Sequence, residues 1–287
     1  MRDLAHPVAM RPVVTDGSAP LPEGLAGAVM LLGSFDGMHR GHAALVAAAT
    51  AEARRRDAPL AVLQCDPHPR LWFGGPARFR ISTGSAQRAL LAAAGVGLVY
   101  APRFDAAFAA TPAETFVTAI LHGRLRLGAV VVGRDFRFGR GREGDVALLS
   151  ATAARHAIAT LVVPDQCEGA GRISSSRVRA TLRAGRIAEA TRLLGHGWET
   201  EITAAGPEFD PNPCRWRFDA GQLLPPPGLW PVAARGAGGA WLGRARLALG
   251  PDGLAGAALP PATDRIEWLV PDGPAACSDP LSEEDRR

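Results

Sequence analysis

At 287 residues the chain can hold one large domain or two, and 47% apolar residues suffice for a real core. The net charge is +4, but lysine is absent: all 32 basic residues are arginines, scattered except for Arg54-Arg55-Arg56, so the charge marks no nucleic-acid surface. The missing lysine excludes a lysine-bearing P-loop and a Schiff-base enzyme, and no apolar run reaches the ~20 residues of a spanning helix.

Residues 1–25 read as a lead-in, with a strand around 8–14 and no apolar signal segment. Ala28 to Leu32 reads as a short buried strand. A turn with two glycines follows, then His39-Arg40-Gly41-His42 and an alanine-rich helix to about Arg55. Leu60 to Cys65 is a second strand, stopped by Asp66-Pro67-His68-Pro69, where two prolines fix a loop. A helix over 88–94 and a strand over 96–100 come next. Thr111 as N-cap, Pro112 at the first helical position and Glu114 two residues on predict a helix over 112–122. Strands over 129–132 and 159–163 flank a helix over 145–156. Ile173-Ser174-Ser175-Ser176 leads into helices over 175–184 and 187–194.

Strands alternating with helices predict an α/β domain with a doubly wound parallel sheet, Rossmann-like, over residues 1–197. Ligands of such sheets sit beyond the carboxyl ends of the strands. The unusual residues gather there, in 33–42, 65–75, 133–145 and 167–176. Beyond about 195–205 the character changes to Pro, Gly and tryptophan, with short segments at 215–218, 229–233 and 241–249, which predict a small β-rich domain over 198–287. The tryptophans Trp216, Trp230, Trp241 and Trp268 are expected in its core. Cys65, Cys167, Cys214 and Cys277 lie far apart, the pattern of reduced thiols in a cytoplasmic protein with no zinc site.

His39 and His42 share one face of a helix start, beside backbone N–H groups that the helix leaves unpaired. Two imidazoles there suit a phosphoryl group gaining charge. Gly41 between them allows close approach of a ligand. Arginine forks suit phosphate oxygens, whereas Arg177 reads as a solvated helix charge.

Five blocks in order resemble the FAD synthetase module of the bacterial bifunctional riboflavin kinase/FMN adenylyltransferases, over roughly residues 28–198. They are Gly33-x-Phe35-Asp36-Gly37-x-His39-x-Gly41-His42; Asp66-Pro67-His68-Pro69; Arg103-Phe104-Asp105 with Phe108; Val131-Val132-Gly133-x-Asp135-Phe136-Arg137-Phe138-Gly139; and Arg172-Ile173-Ser174-Ser175-Ser176-Arg177-Val178-Arg179 with Arg192-Leu193-Leu194-Gly195. The resemblance implies transfer of AMP from ATP to FMN with Mg²⁺, giving FAD and pyrophosphate, and no nucleic-acid or membrane partner. It implies that His39, His42 and Arg179 are catalytic. ATP would be bound by Gly33, Phe35, Asp36, His39, Gly41, His42, Asp135, Arg172, Ser175, Ser176 and Arg179. FMN would be bound by Asp66, Pro67, His68, Pro69, Phe104, Phe136 and Phe138.

The chain departs from the family pattern at Cys65 and Asp66, commonly an aromatic residue and Glu, at Ser176, usually Thr, and at Gln87, commonly Lys. A Pro-Thr-Ala-Asn segment, which the kinase half of such proteins carries, is absent. The C-terminal part therefore reads as a degenerate kinase-like barrel, and riboflavin phosphorylation is not expected. Two alternatives stay open: a related nucleotidylyltransferase with another phosphorylated acceptor, and a non-catalytic flavin- or nucleotide-binding regulator.

Overall fold

The computed structural model describes residues 12–19, 24–169, 171–204 and 215–271. The chain divides into two compact units, Met1–Arg179 with Leu193–Gly195 and Ala220–Leu223, and Ala180–Arg192 with His196–Asp219 and Leu224–Arg287. Cys214, Cys277 and most of the strand expected over 8–14 lie outside the described residues.

The first unit holds six parallel strands: β1 (Val13–Thr15), β2 (Val29–Leu32), β3 (Leu60–Leu63), β4 (Leu98–Tyr100), β5 (Ala129–Gly133) and β6 (Ala159–Val163), in the order β1-β4-β3-β2-β5-β6. β2 and β3 are buried along their whole length, so they read as continuous apolar runs and not as alternating ones. The alternation becomes visible only in what each residue touches. Met30, Leu32, Val130 and Val132 pack on one face with Val117, Leu121 and Leu149, whereas Val29, Leu31, Ala129 and Val131 pack on the other with Val46, Ala49 and Leu91. The sheet is thus covered on both faces, as the doubly wound reading expects. The edges are wetter: Val14 of β1 is 54% exposed and Val162 of β6 is 44% exposed.

α1 (Arg40–Arg56) follows β2, α2 (Pro69–Trp72) follows β3, and α3 (Gly84–Ala93) precedes β4. α4 (Ala106–Ala109) follows β4. α5 (Ala113–Thr115) widens into a π-helical stretch over Phe116–Arg124. α6 (Val146–Ala154) precedes β6, a short hairpin pairs β7 (Cys167–Glu168) with β8 (Gly171–Arg172), and α7 (Ser175–Arg183) and α8 (Ile187–Leu194) follow.

Three local expectations change. Pro69 does not end regular structure; it opens α2, with the His68 side chain accepting from Arg70 N, because a proline fits a first helical turn. Pro112, not Thr111, caps α5: the Thr111 hydroxyl donates to Ala107 O, and the Ala113 amide donates to the Glu143 carboxylate at 2.8 Å. Arg177 is not a solvated charge, since its guanidinium donates to Glu168 O and Gly171 O and closes the β7–β8 hairpin against α7.

The second unit is a closed antiparallel barrel of β9 (Trp198–Ala204), β10 (Arg215–Phe218), β11 (Gly228–Gly236), β12 (Ala240–Leu249), β13 (Leu254–Gly256) and β14 (Arg265–Trp268). Closure leaves no unpaired edge. Its centre is aromatic: Trp268 stacks on Trp198 at 5.5 Å and on Phe218 at 5.9 Å, and meets Trp230 edge-on at 6.1 Å. The indole N–H groups are satisfied, Trp268 by Thr200 Oγ1, Trp216 by Ala257 O and Trp230 by Pro226 O. Trp241 is the exception to the expected core, at 54% exposure, with the Arg235 guanidinium 5.3 Å from its ring centre.

Candidate active site

The strand order reverses between β2 and β5, and the loops that leave these neighbouring strands carry Gly33 to His42 and Gly133 to Phe138. The first loop is a tight turn. Phe35 and Met38 sit at φ 49° and 41°, and Gly37 at φ 81° lies against Ile81, where a Cβ would come within 2.7 Å of the Ile81 side chain. His39 is the N-cap of α1, its Nδ1 accepting from His42 N at 3.2 Å. That bond places the proton of neutral His39 on Nε2. The two imidazoles stack, centres 3.7 Å apart and 14° from parallel. A Cβ on Gly41 would lie 3.0 Å from the His39 ring and 3.3 Å from Ile173 O, so glycine lets the rings and the α7 lead-in close up.

Burial pushes the His39 pKa down to about 4 and that of His42 well below its usual value, with the neighbouring cations adding in the same direction. Both imidazoles are therefore neutral near pH 7 and act as hydrogen-bonding groups. Nδ1 of His42 is buried with no hydrogen-bond partner among the described residues.

Asp36 is 2% exposed and organises the wall behind the histidines. Its carboxylate accepts from Ile81 N and Ser82 N at 3.0 Å and from Arg179 Nη2 at 2.6 Å. Arg179 also donates to Phe79 O at 2.9 Å and lies 3.7 Å over the Phe79 ring. Ser175 Oγ donates to Asp36 O at 3.2 Å, and Ser174 Oγ caps α7 by accepting from Arg177 N. At the rim, Arg172 makes a two-pronged ion pair with Asp135 and a second pair with Asp165 at 3.2 Å. The pairing holds the Asp135 carboxyl below its usual range.

Two cavities open here. The smaller, about 210 Å³, is lined by Phe35, His39, Gly41 and His42 together with Val163 to Gln166. The larger, about 1210 Å³, is lined by Asp36, Asp66, His68, Pro69, Phe104, Phe138, Ser176 and Arg179. Gly33, Asp135, Phe136, Arg172, Ser174 and Ser175 line both. Of the residues to which the resemblance gives an ATP or FMN role, only Pro67 lines neither. An aromatic row runs through Phe104, Phe108, Phe116, Phe138 and Phe136, with neighbouring centres 5.5–6.4 Å apart. Phe138 is part of the core, whereas Phe136 is half-buried. Sequence reasoning missed Phe79, Arg80, Gln64 and Arg70 as lining residues; they carry no motif, and only the fold brings them in.

Among the described residues, no group of three or more His, Cys, Asp or Glu side chains could cage a metal. No helix among them is long and apolar enough to cross a membrane.

Residues 21–177 match the family model described as FAD synthetase. Over 171 residues the chain is 40% identical to the bifunctional riboflavin kinase/FMN adenylyltransferase of Escherichia coli K12, covering 59% of this chain and 55% of that protein. The chain thus matches little more than half the length of that relative. It is 34% identical over 174 residues to a Listeria monocytogenes FAD synthetase, covering 60% of this chain and 70% of that protein. A crystal structure titled as a macrolide-efflux protein from Streptococcus pneumoniae shares the fold, with a TM-score of 0.75 over 90% of both chains at 21% identity. The match spans five of the six strands of the sheet, β2 to β6, both histidines and the serine-rich start of α7, and on it the chain belongs to the FAD synthetase family.

Proposed function

We propose that residues 1–197 transfer AMP from ATP to FMN, giving FAD and pyrophosphate. The observation that carries this reading is the neutral His39–His42 stack at the start of α1, in a small cavity that shares its wall with a much larger, aromatic-lined one. In this reading the small cavity takes the nucleotide and the large one the flavin. FMN brings an already ionised phosphate oxygen, which attacks the α-phosphorus of ATP; the bond to the bridging oxygen breaks, and pyrophosphate leaves. No covalent nucleophile is needed, only positioning and charge stabilisation.

His39 donates from Nε2 as charge builds on the α-phosphate, with His42 stacked behind it. The N-terminal end of the 17-residue α1 adds its partial positive charge. Ser175, on the wall that both cavities share, offers its hydroxyl to the leaving phosphates, with Ser176 next to it where the larger cavity begins. Arg172, whose carboxylate partners are at the rim, can exchange them for phosphate oxygens. Mg²⁺ fits as an ion that keeps most of its oxygen ligands from water and substrate phosphates, because the chain supplies no cage of its own among the described residues. It would supply charge neutralisation on the phosphates.

We further propose that riboflavin is not phosphorylated. The missing Pro-Thr-Ala-Asn segment and the tryptophan-filled barrel centre support this, although the Escherichia coli relative carries both activities in its name. Pyrophosphate release with FMN, ATP and Mg²⁺ tests the first claim, and its absence sinks it. FAD appearing from riboflavin and ATP without added FMN sinks the second.

A further inference from the structure

The floor of the larger cavity differs from its arginine-rich rim. Gln64 follows the last residue of β3, its backbone N–H bonded to Tyr100 O at 2.8 Å, and its side chain lines the cavity. Gln87, on α3, is 5% exposed. Gln87 Nε2 donates to Ser34 O at 2.6 Å, and Gln64 Nε2 donates to Gln87 Oε1 at 2.9 Å.

The order of these bonds removes the usual ambiguity of amide orientation. A backbone carbonyl can only accept, so Gln87 must turn its nitrogen to Ser34 and its oxygen to Gln64. Gln64 must then turn its nitrogen to Gln87. Its oxygen takes no part in this relay, and it belongs to a half-buried residue that lines the cavity. We propose that Gln64 Oε1 is a fixed acceptor for a hydrogen-bond donor of the flavin, either a ribityl hydroxyl or the imide N–H of the ring, with Gln87 as the residue that orients it. This rests on the larger cavity being the flavin side.

The surroundings agree with a neutral ligand part. Leu63, Val99 and Ala101 line the same cavity, and burial pushes the Cys65 thiol up to about 12, so it stays uncharged. A phosphate offers only acceptors at neutral pH and would gain nothing from this oxygen.

Two variants test the assignment. Gln64→Leu removes the acceptor. Gln87→Lys supplies a donor to both Ser34 O and Gln64, which forces the Gln64 amide to flip and present its nitrogen to the cavity. Binding is read by quenching of FMN fluorescence and, separately, by ATP calorimetry. The expected result is FMN binding about tenfold weaker in both variants, the size of one lost hydrogen bond, with ATP binding unchanged. Lumiflavin, which keeps the ring and lacks the ribityl chain, separates the two donors: weakened lumiflavin binding assigns the imide, and unchanged lumiflavin binding assigns a hydroxyl. Unaltered FMN binding in either folded variant, or an equal loss for ATP, overturns the proposal. Failure of the unmodified chain to bind FMN at all strikes instead at the flavin reading of the cavity.

Discussion

Two arginine–aspartate pairs flank the histidine stack, and they differ in burial more than in chemistry. Arg179 and Asp36 have side chains only 6% and 3% exposed, whereas Arg172 and Asp135 are 43% and 62% exposed. A buried pair cannot lose one partner without stranding a charge, at a cost of roughly 3–5 kcal/mol. An exposed pair contributes about 0–1 kcal/mol and trades partners readily. Asp36–Arg179 therefore belongs to the architecture, tying the turn after β2 to residues 79–82 and to α7. Arg172–Asp135 lies exposed at the rim, and in the proposed reading a phosphate takes the place of the carboxylate there. The resemblance gives both arginines a place in the ATP site; the burial separates them as ion pairs.

The sharpest way to break this comparison is Arg179→Leu. It should lower stability by roughly 3–5 kcal/mol and the melting temperature by about 6–20 °C. A melting temperature that stays within a degree or two would mean that the pair is not structural. His42→Ala should slow FAD formation at least ~100-fold, about 2.7 kcal/mol of transition-state stabilisation, and unchanged turnover would remove His42 from the reaction.

Acid should act next. His39 is buried neutral, with its pKa pushed from 6.5 down to about 4, so below pH 6.5 the unfolded chain takes up a proton that the folded chain refuses. Stability is fully present above about 6.5 and is lost as pH falls toward 4, by about 1.4 kcal/mol per pH unit at most for this histidine. Thermal melts between pH 7 and 5 should show the decline, whereas an acid limb of kcat/KM for this group belongs near pH 4. The smallest effect is expected at the rim: Asp135→Asn should change stability by about 1 kcal/mol or less, and a loss of several would put the outer pair on the same footing as the inner one.

The sheet was largely legible because central parallel strands must be apolar on both faces, so the segments around Leu31, Val62 and Val131 stand out as unbroken runs. The histidine turn was legible because glycines and a helix start must lie next to each other in the chain. What escaped depends on distance. Asp36 and Arg179 lie 143 positions apart, and nothing local says that they meet. Gln64 and Gln87 are 23 positions apart, on a strand end and a helix; Gln87 stands out only as a departure from the family pattern, and nothing in the sequence pairs it with Gln64. β9 was passed over because Thr200 and Ile202 alternate inward between Glu199 and Glu201, a half-wet strand without an apolar run. The widening of the helix after Thr115 has no signature that was read in the sequence, and we have no physical account of it.

The aromatic filling of the barrel has an optical consequence. Of the six tryptophans, Trp72 alone lies in the first unit; Trp198, Trp216, Trp230, Trp241 and Trp268 all lie in the second. Indole emission therefore reports the barrel almost exclusively, while the far-ultraviolet helical signal arises mainly from α1, α3, α6 and their neighbours. A denaturant titration followed at both wavelengths has a separate spectroscopic channel for each unit, so non-coincident curves would reveal which half of the chain melts first without any engineered label.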